Sequence, residues 1–92
     1  MRHTLPLGRI VITPAAQNEL EHNGQDPMWY VCMHARGDWG QALTVDEMGA
    51  NDDAAESGGR ILSAHYYTRW KVVWVITEAD RSVTTVLLPG EY

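Results

Sequence analysis

Apolar and polar positions change rhythm along this chain, and each change marks an element. Leu7 to Thr13 alternates imperfectly but is rich in Ile and Val, which predicts a short strand. Thr13-Pro14 then reads as a helix start, a hydroxyl N-cap followed by proline at the first helical position. That helix, Pro14 to Asn23, stops at Gly24, a residue that takes the left-handed turn at no steric cost. Asp26-Pro27 repeats the start signal. Met28, Val31, Cys32 and Ala35 recur at helical spacing, predicting an amphipathic helix from Pro27 to Arg36 that closes at Gly37. This pattern places Cys32 in the core. Asp38-Trp39-Gly40 reads as a loop with an anchoring aromatic. Thr44-Val45-Asp46-Glu47 matches a capping box, so Val45 to Ser57 reads as a third helix, weakened by Gly49 and Asn51 and stopped at Gly58-Gly59.

Three β-rich runs follow, over 60–66, 71–78 and 83–88. Gly58-Gly59, the charged turn Ala79-Asp80-Arg81-Ser82 and Pro89 punctuate them. Their connections are too short for parallel crossovers, so they form an antiparallel meander. The first run puts Leu62, Ala64 and Tyr66 on one side and Ile61, Ser63 and His65 on the other. Val72 to Ile76 is apolar on both faces. The expected fold is one α+β domain over residues 1–92: a short N-terminal strand, two to three helices, then the meander, with the helices against one sheet face.

Charge sharpens this picture. The net charge is −5, and residues 41–59 hold Asp46, Glu47, Asp52, Asp53 and Glu56 with no Lys or Arg. The remaining seven acids balance seven bases, so the whole excess sits in one segment. A phosphate backbone favours basic surfaces, which argues against general nucleic-acid binding. An acidic helix is ordinarily a solvated face; its functional reading is a surface that meets a basic protein. The single cysteine, Cys32, excludes an intrachain disulfide and fits a reducing compartment. No apolar run approaches the roughly 20 residues that span a bilayer. Pro6, Gly8 and Arg9 interrupt any signal-peptide core after Arg2, so the expected setting is cytoplasmic, without a membrane.

Candidate chemistry is sparse. A nuclease site needs a base, an acid and cations for the phosphate, on an open sheet face. His65, Arg60, Arg81 and Glu78 supply those types, with His34 and Arg36 from a helix end, in a pattern faintly like barnase- and RelE-type ribonucleases. The structural reading has Arg60 and Arg81 paired with Glu78 or Asp80, His65 on a strand surface, and His34 beside a helix C-terminus. His3, His22, His34 and His65 lack metal-ligand spacing, and no nucleotide-binding glycine pattern exists, so neither metal nor cofactor is expected. Tyr67-Thr68-Arg69-Trp70 lies at a turn, where Arg69 and Trp70 can anchor an interface.

One resemblance draws on several of these segments together. They are Arg36-Gly37-Asp38-Trp39-Gly40, Asn51-Asp52-Asp53-Ala54-Ala55, Gly59-Arg60-Ile61-Leu62-Ser63-Ala64, Trp74-Val75-Ile76-Thr77-Glu78-Ala79-Asp80-Arg81-Ser82, Thr84-Thr85 and Leu87-Leu88-Pro89. In that order they resemble a family of small plasmid- and phage-related bacterial proteins of unassigned activity, some carrying restriction-system names. The resemblance covers most of the chain and implies a mobile-element setting. By analogy with anti-CRISPR proteins, the leading expectation is a non-enzymatic protein-binding module that inhibits a host defence complex. The alternatives are a toxin-type ribonuclease and a structural or regulatory homodimer.

Overall fold

The structure, a computed structural model, describes residues 4–92. Strand β1 (Arg9–Ile12) leads into helices α1 (Pro14–His22), α2 (Pro27–Ala35) and α3 (Val45–Ser57). Strands β2 (Ile61–Tyr66), β3 (Val72–Thr77) and β4 (Val83–Leu87) follow, and a short 3-10 turn over Pro89–Glu91 ends the chain. The fold is α+β, as the patterning predicts. Each helix starts where its cap says: Thr13 Oγ1 accepts from Ala16 N, the Asp26 side chain accepts from Met28 N, and both arms of the Thr44–Glu47 box are formed.

The meander β2–β3–β4 is antiparallel throughout, and β1 joins it parallel to β4, giving the order β1-β4-β3-β2. The sheet is therefore mixed and four-stranded. Strand alternation sends Ile61, Ser63, His65, Val73, Val75, Thr77, Thr84 and Val86 to one face, and all eight are buried. Helices α1 and α2 cover this face; Ala16, Leu20, Tyr30 and Val31 pack with Val73, Val75 and Val86 in the main core.

The outer edge of β2 is closed without a fifth strand. Asn51 of α3 donates to Leu62 O (2.8 Å) and accepts from Leu62 N (3.3 Å), so one side-chain amide replaces a strand's peptide group. Beside it, Ala64 N donates to Trp39 O and Ala42 N to Ala64 O. Edge groups that would invite another chain are thereby satisfied.

Three side-chain placements differ from the expectation. Helix α2 is apolar almost all round, so two sets of positions fit the same period. It buries Pro27, Tyr30, Val31 and His34, leaving Met28 and Cys32 exposed. Cys32 is therefore a surface thiol and not a core residue. His65 is not on an open strand surface; it lies 4% exposed beneath α2. Arg81 does not pair with a carboxylate. Its guanidinium donates to Ala54 O (2.8 Å), Gly59 O (2.6 Å) and Glu78 O (3.2 Å), tying the β3–β4 turn to carbonyls at the end of α3. The expected pairing with Glu78 is made by Arg60, at 4.0 Å.

The opposite sheet face is thinly covered. Trp74 lies there half-buried, edge-on to Tyr92 with 5.8 Å between ring centroids, and the Arg60 guanidinium sits 4.6 Å from the Tyr92 ring centre. Trp74→Ala is expected to cost about 1–2 kcal/mol, below the roughly 3–5 of an enclosed tryptophan. Thermal unfolding checks this; a loss at the upper figure would mean that the ring is fully enclosed.

Candidate functional site

A buried polar chain runs between α2 and the sheet. His34, at 0% exposure, holds Ser63 Oγ with Nδ1 (2.6 Å) and Thr77 Oγ1 with Nε2 (2.8 Å). Thr77 Oγ1 meets Thr84 Oγ1 at 2.7 Å, and Thr84 Oγ1 donates to Leu7 O at 2.8 Å. At the other end Ser63 Oγ meets His65 Nε2 at 3.0 Å. Five polar side chains are thus satisfied inside an apolar layer, where an unpaired one would cost about 1–3 kcal/mol.

The carbonyl of Leu7 sets the direction of every bond. It has no hydrogen, and each hydroxyl has one. Thr84 gives its proton to Leu7, so Thr77 donates to Thr84 and accepts from His34 Nε2–H. His34 Nδ1 is then bare and accepts from Ser63, and Ser63 in turn accepts from His65 Nε2–H. Both imidazoles are neutral Nε2–H tautomers, and His65 Nδ1 carries a free lone pair. Burial supports this protonation. It pushes His34 down to about 4, helped by repulsion from His65 and Arg81. Burial also lowers His65, against the opposing charge of Asp38. His34 is therefore not a charged helix-end cap, although it sits in the last turn of α2: desolvation outweighs the helix dipole.

Among the described residues His65 Nδ1 has no hydrogen-bond partner, yet no buried side-chain nitrogen or oxygen there lacks one. The atom therefore keeps contact with solvent. It does so at a cleft of about 180 Å³ lined by Tyr30, Met33, Asp38, Gly40, Gln41 and Tyr66. Tyr30 packs on the His65 ring at 5.3 Å and donates its hydroxyl away, to Gln25. Asp38 Oδ1 accepts from Gly40 N (3.1 Å). A Cβ on Gly40 would lie 2.8 Å from His65 Nδ1, so the absence of a side chain there keeps the space before the nitrogen clear.

The residues that the sequence singles out occupy other places. Asp46, Asp53 and Glu56 are exposed on α3. Glu47 closes the capping box, and Asp52 accepts from Trp39 Nε1 at 2.9 Å, so these two acids also carry structural bonds. Arg69 and Trp70 stand at the β2–β3 turn, with the guanidinium 5.8 Å from the indole centre. The nuclease candidates are not brought together: Arg60 and Glu78 meet near Tyr92 on the thinly covered side, whereas His34 and His65 lie under the helices. Among the described residues no three His, Cys, Asp or Glu side chains stand close enough to hold a metal ion, and no helix is long and apolar enough to cross a membrane.

Sequence patterning does not single out Ser63, Thr77, Thr84, Asp38 or Gly40. A signal for the first three exists: spacing by two puts Ser63 and His65 on one strand face, and hydroxyls on an otherwise apolar face need partners. No protein-family model, curated protein or solved structure matches the chain.

Proposed function

We propose that this protein is a non-enzymatic binding module that docks on another protein through the Arg69–Trp70 turn, with the acidic face of α3 steering the encounter. The observation that carries this reading is Trp70, 83% exposed on a turn that is otherwise held fast. Thr68 Oγ1 accepts from Trp70 N (3.3 Å) and Lys71 N (3.1 Å). Gln25 donates to Tyr67 O (2.6 Å), and Lys71 pairs with Glu19 at 3.1 Å. An indole presented on an ordered turn costs little further entropy when it enters a partner's pocket. The partner class is a protein with a basic surface; on the mobile-element reading it belongs to a host defence complex. The ribonuclease alternative ranks second, because its candidate residues are divided between the two sides of the sheet.

The test is capture from a bacterial lysate with native and Trp70→Ala protein, followed by kinetics on the captured partner. Trp70→Ala is expected to speed dissociation by about thirtyfold, the effect of an interface hot spot. Asp46→Asn, Asp53→Asn and Glu56→Gln together are expected to slow association and flatten its salt dependence. Asp52 is left in place because it holds Trp39. A partner retained with unchanged rates by both variants overturns this reading.

A further inference from the structure

The cleft over His65 has a chemistry of its own. Its floor presents acceptors: the Nδ1 lone pair fixed by the directed chain from Leu7, and the Asp38 carboxylate, whose Oδ1 takes the Gly40 N–H while Oδ2 has no hydrogen-bond partner among the described residues. Among the described residues that line the cleft there is no Lys or Arg, and Asp38 is the one carboxylate. An anion would face two acceptors, with no cation among the described residues of the lining; Arg36 borders the adjoining pocket that shares Asp38. A group rich in N–H donors and positively charged satisfies both.

The aromatic walls narrow the choice. Tyr30 and Tyr66 line the same cleft, and tyrosine faces attract cations and stack on planar ones. The volume, about 180 Å³, is below the ~300 Å³ at which small-molecule sites usually begin, and suits one side-chain head group. An ammonium is a compact point charge, whereas a guanidinium is a flat fork that bridges two acceptors while lying against a ring. We infer that this cleft receives a guanidinium, the arginine side chain of a partner protein, held between His65 Nδ1 and the Asp38 carboxylate and against Tyr30 and Tyr66. The inference deepens the docking reading above and rests on it for the source of the arginine. Ser63 acts as a positioning residue, since its hydroxyl is what holds His65 in the tautomer that leaves Nδ1 bare.

The test uses the full chain, labelled with ¹⁵N, and methylguanidine as the probe. Long-range ¹H–¹⁵N spectra are expected to show His65 protonated at Nε2 and bare at Nδ1 in native protein, and a mixture of tautomers in Ser63→Ala. Methylguanidine should then shift His65 Nδ1 and the Asp38 and Gln41 amides saturably, with butylamine weaker at equal concentration and ionic strength. Asp38→Asn keeps the acceptor for Gly40 N–H and removes the charge; it is expected to weaken methylguanidine binding by about tenfold or more. A proton on Nδ1 of native His65, no saturable response, or an equal response to butylamine overturns the assignment. The two readings also fail separately. A partner captured through Trp70 without any methylguanidine response removes the cleft alone. A methylguanidine response without a Trp70-dependent partner supports the cleft and removes the docking turn.

Discussion

Acidification from about pH 7.5 to about pH 4 is expected to remove about 3 kcal/mol of folding stability through His34 alone. Its imidazole titrates near 6.5 when the chain is unfolded and at about 4 when folded, because burial disfavours the cation. Between those values the unfolded chain binds more protons than the folded one, so stability rises with pH across the window. The contribution is complete above about 6.5 and is lost as pH falls towards 4. At about 1.36 kcal/mol for each pH interval of one, the window is worth the stated amount. That is a large share of the roughly 5–14 kcal/mol expected for a domain of this length. His65 acts in the same direction, since burial lowers it too. Glu19, lowered from 4.5 by its hydrogen bonds from Lys71 and Tyr67, and Asp80, lowered from 3.8 by Ser82, lose their contributions only below those values. They fall outside most of the window. Urea unfolding at several pH values between these limits measures the slope. His34→Gln should be less stable near neutrality and should lose most of the slope. A native protein whose stability is flat from about pH 6.5 to about pH 4 would show that His34 is solvated and that the buried chain is not formed as described.

The same histidine shows where sequence reasoning stops. Everything that depends on neighbours in sequence is legible. Thr13-Pro14, Asp26-Pro27 and Thr44 with Glu47 cap helices because the bonds involved span two or three residues. The three C-terminal strands are legible because β-branched runs and short turns leave few alternatives. Partners distant in sequence are not legible. His34 reads as a helix-end residue until Ser63 and Thr77 arrive, from 29 and 43 residues away, and satisfy both ring nitrogens in the interior. Pairing of β1 with β4 joins Arg9 to Val83, a contact that no local pattern encodes. Arg81 reads as a member of an ion pair because carboxylates flank its turn. Its φ of 62° instead belongs to a turn that aims the guanidinium at the carbonyls ending α3. The cleft is invisible for a related reason: its floor comes from a strand, its rim from a loop and its wall from α2. Only the hydroxyls on an apolar strand face hint at it.

Gly40→Ala is expected to be the most damaging single substitution in the loop that rims the cleft, at about 3–5 kcal/mol. Two independent costs coincide there. Gly40 has φ +83°, a backbone conformation that a residue with a Cβ adopts only under strain. The added methyl would also fall 2.0 Å from Ala64 O and 2.8 Å from His65 Nδ1. Ala64 O is not free to move, because it accepts from Ala42 N while Ala64 N donates to Trp39 O. Shifting the loop would break this seal on the β2 edge and disturb Trp39, which is buried and bonded to Asp52. The contrast with Gly49 separates crowding from composition. Gly49 lies in α3, where an added methyl would meet only open space, so Gly49→Ala is expected to stabilise by about 0.5–1 kcal/mol through helix propensity. Chemical denaturation of the two variants side by side is the measurement. Equal effects would mean that the loop yields freely and does not hold the cleft open. If Gly40→Ala folds at low temperature, its His65 Nδ1 should no longer respond to methylguanidine, because the methyl occupies the space in front of that nitrogen. Stability and binding then fail together at one position, and only because this loop must pass within contact distance of the strand it seals.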